Sequence, residues 1–243
     1  MRIIKLNAID STNSYLKQLS VEESLVDNTI VVTNYQTKGR GQMGTTWVSE
    51  DSKNLMFSVL KDVSWLHADK SFYISMVTSL AIIKSLEYFS IPKLRIKWPN
   101  DILSEDMKVC GVLIENVIKH THLKDSIIGI GLNINQTDFS NLPKATSLRL
   151  ISGQVFNLDE VMIMIIKEIT YYFKLLKAGR FQEIKNLYET LLFRKDKPST
   201  FKDAEGSMFS GFIKSVSNSG NLQVLLEDDI IKEFDLKEIS LLY

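Results

Sequence analysis

The sequence predicts an α+β protein: a mixed β-sheet packed with helices over residues 1–195, followed by a small β-barrel over residues 196–243. Three observations carry this prediction. Up to about residue 195, β-branched runs alternate with long stretches of helical apolar spacing. Residues 194–200 read RKDKPST, a charged linker signal. Beyond Phe201 come short alternating runs, GSMFSGFIKSV, LQVLLEDD and IIKEFDL, broken by turn residues such as SNSGN.

Each element follows from its residues. RIIKL (2–6) reads as a short strand. In DSTNSYLKQL (10–19), Asp10 or Ser11 suits the N-cap of a helix carrying Tyr15, Leu16 and Leu19, because a short side-chain oxygen can accept from the first-turn N–H groups. NTIVVTNYQT (28–37) is a β-branched strand running into a glycine loop, and NLMFSVLK (54–61) is another strand. Residues 71–89 are apolar at helical spacing through Phe72, Met76, Leu80 and Ile83, and Pro92 ends the helix. KLRIKW (93–98), VCGVLIENVI (109–118) and SIIGIGLNIN (126–135) read as strands. Over residues 157–179, Val161, Ile165, Ile169, Tyr172 and Leu176 share one face of a helix; Asn157 and Glu160 resemble a capping box and Gly179 is the stop. A second helix is expected over residues 181–193.

Composition narrows the class. The chain is 44% hydrophobic and 24% charged, ordinary for a globular protein with a sizeable core. Lys plus Arg and Asp plus Glu are both 29, so no basic excess supports a nucleic-acid binder. The single cysteine, Cys110, excludes an internal disulfide and reads as a small buried hydrophobe in a reducing compartment. The N-terminal apolar run, broken by Lys5 and Asn7, is too short for a signal peptide or a membrane span. A cytoplasmic protein without a membrane partner is expected. His67, His120 and His122 form no metal-binding pattern, and residues 120–122 read as a polar turn.

The loop TKGRGQMGTTW (37–47) holds three of the 11 glycines, Gly39, Gly41 and Gly44. It matches the dinucleotide fingerprint by letters, but that fingerprint needs a helix opening at the third glycine. Here TTWV suits a strand and SEDSKN a turn, so the reading fails. A P-loop fails on its missing lysine, and a kinase on the absence of HRD and DFG. Bare backbone lets N–H groups approach an anion, Arg40 adds a planar charge, and Trp47 offers a flat face. Taken alone, the loop fits this role and a surface glycine turn equally.

A second cluster, IKWPNDIL (96–103) followed by KVCGVLIEN (108–116), places Lys97, Asn100, Asp101 and Lys108 close in sequence. Taken singly, these residues read as a capped turn and a solvent-facing lysine. The ordered set is more specific: DSTN at 10–13, Gln36 before GRG, Trp47, KWPND at 97–101, Lys108 with Gly111 and Glu115, and GIGLNIN at 129–135. Over more than half the chain it resembles the biotin–protein ligase family. The resemblance implies a ligase-like catalytic domain with a mixed sheet and an SH3-like C-terminal barrel. It also implies a two-step reaction. Biotin and ATP with Mg2+ give biotinyl-5′-AMP and pyrophosphate, and the adenylate then acylates one lysine of a biotin carboxyl carrier protein.

The residues suit that chemistry. Burying a urea requires donors and acceptors together. Ser11, Thr12, Asn13 and Gln36 supply both, and the resemblance places biotin there, with Gly39, Gly41, Gln42, Gly111 and Gly129 close by. An anionic carboxylate meeting an anionic α-phosphate requires cations. Lys108 is the first candidate, then Arg40 and the backbone at 39–41, with Lys97 on the triphosphate and Asp101 orienting metal or the incoming amine. No dedicated metal site is expected. Trp47, Asn100 and Asn133 are assigned to the nucleotide, Asn133 alternatively to a strand end. The loop at 38–46 is expected to close over the adenylate and exclude water.

One departure stands out. The family often reads GRGR, whereas this chain reads GRGQ, with Gln42 in place of a charged clamp. The ligase-like sequence begins near Met1, so no operator-binding domain and no DNA partner are expected. The rivals are a lipoate or octanoate transferase, for which the urea-type polar set would be wasted, and a non-catalytic biotin or nucleotide sensor.

Overall fold

The computed structural model describes residues 1–119 and 122–243, so residues 120 and 121 of the expected polar turn lie outside the described residues. In chain order the elements are β1 (Arg2–Ile9), α1 (Thr12–Glu22), β2 (Thr29–Gln36), β3 (Leu55–Asp62), α2 (Phe72–Tyr88), β4 (Leu94–Lys97), β5 (Asp101–Ser104), β6 (Met107–Lys119), β7 (His122–Leu132), α3 (Leu148–Ser152), α4 (Leu158–Lys177), α5 (Phe181–Thr190), β8 (Pro198–Asp203), β9 (Met208–Val216), β10 (Leu222–Leu225), β11 (Ile231–Phe234) and β12 (Ile239–Leu242). They form a mixed seven-stranded sheet, ordered β1-β2-β3-β7-β6-β5-β4, and an antiparallel five-stranded sheet of SH3-like barrel type, ordered β11-β10-β9-β8-β12. In the larger sheet the β1–β2 pair is parallel and the other pairs are antiparallel.

Successive strand residues point to opposite faces, and this separates the layers. Val31, Leu60 and Ile127 pack with Leu16 of α1 on one face. Their neighbours Ile30, Val59 and Ile128 join the main core with α2, α4 and α5 on the other. The central helix α2 is buried on nearly all sides, as its continuous apolar run requires. Amphipathic α4 starts as read: the Asn157 side chain accepts from the Asp159 and Glu160 N–H groups at 2.9 and 3.3 Å. Gly179, at φ 74°, takes the left-handed conformation just past its end.

The second sheet is welded to the first. Phe201, Ile213, Val216, Leu222 and Phe234 belong to the same buried core as α2 and α4. The Trp98 indole N–H donates to the Gly220 carbonyl at 2.8 Å, and the Val216 N–H donates to Glu189 at 3.1 Å. No helix among the described residues is long and apolar enough to cross a membrane.

Three local readings are corrected. Residues 45–48 form no continuous strand: Thr46 pairs with Arg40 in an isolated antiparallel bridge, closed by the Trp47 N–H donating to the Gly39 carbonyl at 3.0 Å, and the loop folds on itself. The proline turn, read over WPND (98–101), is shorter than expected: Asp101 already opens β5, pairing with Lys97 across a tight hairpin. Part of the expected linker, residues 198–200, already belongs to β8.

Candidate active site

A cleft of about 500 Å3 lies on the α1 face of the larger sheet. Strand register explains why the sheet is indented there. Across β3, β7 and β6, one row reads Ser58–Gly129–Leu113 and the next Met56–Gly131–Gly111. Facing residues of one row share a sheet face, so three glycines remove the side chains that would fill the surface. The Trp47 ring lies on this bare patch: a Cβ added at Gly131 would stand 2.5 Å from Trp47 Cε2. The indole Nε1 is buried without a hydrogen-bond partner among the described residues.

One end of the cleft is a neutral polar network. Ser11 is the N-cap of α1, and the Asp10 carboxylate accepts from the Ser11 N–H at 2.6 Å. The Thr12 N–H donates to Gln36 Oε1 at 2.8 Å, which leaves Gln36 Nε2 to donate elsewhere. Ser58 Oγ lies 2.7 Å from Thr12 Oγ1 and 2.6 Å from Asn13 Oδ1. Asn13 Nδ2 donates to Glu115 Oε2 at 2.9 Å and to the Leu113 carbonyl at 3.3 Å. Gly129 is bare beneath Asn13, where any side chain would collide with the amide.

The other end is cationic. Lys108 Nζ pairs with Asp101 Oδ1 at 2.8 Å and stands 5.8 Å from the Trp47 ring centroid. Lys97, facing Asp101 across the β4–β5 hairpin, stands over the Tyr243 ring at 4.9 Å. Burial holds the Lys97 ammonium below the ordinary lysine range; Asp101 opposes this, and Lys108 and Lys144 reinforce it. The hairpin is fixed from behind by buried Tyr188, whose hydroxyl donates to the Pro99 carbonyl at 2.5 Å.

The glycine loop closes over the middle. The Gly41 N–H donates to the Thr45 carbonyl at 2.6 Å, the Thr45 N–H to the Gln42 carbonyl at 3.0 Å, and a short 3-10 turn spans Gln42–Gly44. The Arg40 guanidinium donates to Glu115 Oε2 at 2.8 Å, so Glu115 ties the loop to Asn13 at the polar end.

The cleft gathers every site residue named from the sequence except three. Gly39 lines a neighbouring cavity on the outer side of the loop, together with Glu115. Asn100 is buried and donates to the Val112 carbonyl at 2.9 Å, bracing the hairpin on β6. Asn133 is buried too and donates to the Thr146 carbonyl at 3.1 Å, which fixes the strand end. Neither asparagine lines the cleft, and the bond of Asn133 agrees with its strand-end reading. Sequence reasoning missed Ser58, Gly131 and Ser240, and gave Glu115 no role. Period-two alternation from Gly111 through Leu113 would have put Glu115 on the cleft face. Cys110 points the other way into the core, and burial pushes its thiol up, out of reactive range.

Among the described residues, no group of three or more His, Cys, Asp or Glu side chains is placed to hold a metal. Asp101 is the carboxylate lining the cleft. A single carboxylate can supply one or two oxygen ligands to a hard cation.

The chain is similar to known proteins over most of its length. The family model described as Biotin/lipoate A/B protein ligase family matches residues 6–133. The bifunctional ligase/repressor BirA of Bacillus spizizenii is 29% identical over 192 residues, covering 77% of this chain and 58% of that protein. This chain therefore spans less than two thirds of that relative. BirA of Escherichia coli is 27% identical over 238 residues, covering 97% of this chain and 73% of its own. A solved biotin protein ligase from Aquifex aeolicus, in complex with biotin and ATP, matches with a TM-score of 0.81 at 29% identity, covering 99% of this chain and 98% of that one.

Proposed function

This chain belongs to the biotin/lipoate A/B protein ligase family, and we propose that it is an ATP-dependent biotin–protein ligase. The observation that carries the reading is one cleft with a neutral donor–acceptor network at one end, a lysine cluster at the other and a bare apolar floor between. A urea head fits the first, a carboxylate meeting a phosphate fits the second, and an alkyl chain spans the floor. Trp47 Nε1 adds a donor that a ligand would satisfy.

In the first step a biotin carboxylate oxygen attacks the α-phosphorus of ATP, and the bond to the leaving pyrophosphate breaks. Lys108 offsets the charge where the two anions meet; Lys97 offsets it on the triphosphate. In the second step the amine of a carrier lysine attacks the acyl carbon and AMP leaves. Asp101, which pairs with Lys108, is assigned to orienting metal or that amine. The test is incubation with labelled biotin, ATP and a biotin-carrier domain. Label is expected on the carrier only when ATP is present. Labelling by lipoate but not biotin, or biotin binding without pyrophosphate release, would overturn the assignment.

Three expected results follow. The loop at 38–46 sheds nicking by protease when biotin and ATP are added together; unchanged cleavage would remove its role as a lid. Gln42 lines the cleft and can hydrogen-bond but carries no charge. Gln42→Arg should slow adenylate release by about tenfold, since a charge-assisted contact adds a kcal/mol or more; an unchanged dissociation rate would exclude a clamp at this position.

The third concerns pH. Lys97 is held below the ordinary lysine range, so it loses its proton earlier as pH rises and then no longer offsets phosphate charge. The kcat/KM for ATP should fall on the alkaline side at a lower pH than an exposed lysine would give. Bound phosphate favours the ammonium, so the matching fall in kcat should lie at higher pH. Lys97→Arg, which stays charged, should remove this limb; a limb that persists unchanged would assign it to another group.

A further inference from the structure

The lysine end of the cleft carries a third cation. Lys144 lies in a segment that runs back beside β6: the Lys108 N–H donates to the Lys144 carbonyl at 2.8 Å, and the Thr146 N–H donates to the Lys108 carbonyl at 2.9 Å. These bonds form a parallel bridge between Lys108 and Ala145 and fix residue 144 next to Lys108. The Lys144 ammonium stands 3.9 Å from the centroid of the Tyr243 ring, the ring that also carries Lys97. Tyr243 directly follows β12, so the end of the C-terminal sheet supplies a platform shared by Lys97 of β4 and Lys144 of the segment beside β6.

The charges are arranged in a series. Lys108 sits against Trp47 at the cationic end of the cleft, Lys97 lines its wall, and Lys144 lies outside the lining, exposed to solvent. Asp101 is already paired to Lys108, and Asp106 is the other carboxylate near enough to act on Tyr243. Lys108 is thus committed to Asp101, while the Lys97 and Lys144 ammonium groups both face the shared ring. A ring face engages only part of an ammonium's three N–H donors, so both lysines keep the remaining donors for a ligand.

We propose that Lys144 is a phosphate-binding residue of the first step, meeting the outer phosphates of ATP and the leaving pyrophosphate, and that Tyr243 is the positioning residue that holds Lys97 and Lys144 toward them. The proposal rests on the ligase reading above. In it the C-terminal sheet is part of the nucleotide site rather than an appendage.

The test uses the full chain and measures the KM values for ATP and biotin, with inhibition by inorganic pyrophosphate. Lys144→Ala should weaken ATP and pyrophosphate roughly ten- to a hundredfold, the range of a hydrogen bond to a charged group, and leave the biotin KM unchanged. Lys144→Arg should restore most of the loss. Tyr243→Leu should raise the ATP KM with the biotin KM unchanged, while Tyr243→Phe, which keeps the ring, should match the parent protein. Lys144→Ala with both phosphate constants within twofold of the parent would overturn the proposal. If the parent protein itself releases no pyrophosphate with biotin, the ligase reading fails instead. MgATP titrated calorimetrically into parent and Lys144→Ala proteins then still decides the role of Lys144, since equal affinities would overturn it.

Discussion

Replacing Lys108 with alanine is expected to lower biotin-dependent pyrophosphate release by about a thousandfold, the scale of losing a preorganised charge at the reacting centre. Two effects act together. The substitution removes the ammonium nearest the middle of the cleft, and it leaves Asp101 without the cation 2.8 Å from its carboxylate. A second anion then faces the carboxylate and phosphates that must meet. Biotin affinity measured alone should fall far less than turnover, because the polar network around Asn13 stays intact when the carboxylate loses its cation. The loss should fall on kcat rather than on the biotin KM. A variant that keeps kcat and only raises the ATP KM would reduce Lys108 to a ground-state contact.

Gly129→Val carries the other large effect, at the opposite end. A Cβ at this position collides with the Asn13 amide. Asn13 cannot swing away cheaply, because Ser58, the Leu113 carbonyl and Glu115 hold it from both ends of the amide. Breaking two such buried hydrogen bonds costs about 3 kcal/mol, or roughly a hundredfold in biotin affinity. Calorimetric titration with biotin measures it. Affinity within threefold of the parent protein would mean that the urea head does not lie beside Asn13.

The parts of the fold that were legible are those set by local chemistry. Asn157 and Gly179 bound α4 where their side-chain oxygen and free φ put them. The polar and cationic sets were legible as types, since a urea and a pair of anions each demand particular groups. What stayed hidden depends on register between distant strands. Ser58 sits inside an ordinary strand run, and only its pairing with Gly129 brings it under Asn13. Gly131 looks like a neighbour of Gly129, but its pairing with Gly111 makes the floor for Trp47. Tyr243 lies 135 positions past Lys108, and no local pattern links them. At Asn100 side-chain type pointed to a nucleotide, whereas its bond to the Val112 carbonyl ties the hairpin to β6; Asn133 follows its strand-end reading through its bond to the Thr146 carbonyl.

The central claim is that one cleft brings a biotin carboxylate and an ATP α-phosphate together. Exchange of labelled pyrophosphate into ATP tests it most directly, because it reads the first step without any carrier protein. Exchange should appear only when biotin and ATP are both present and should vanish with Lys108→Ala. Exchange that proceeds equally without biotin, or none at all from folded protein that binds both ligands, would contradict it.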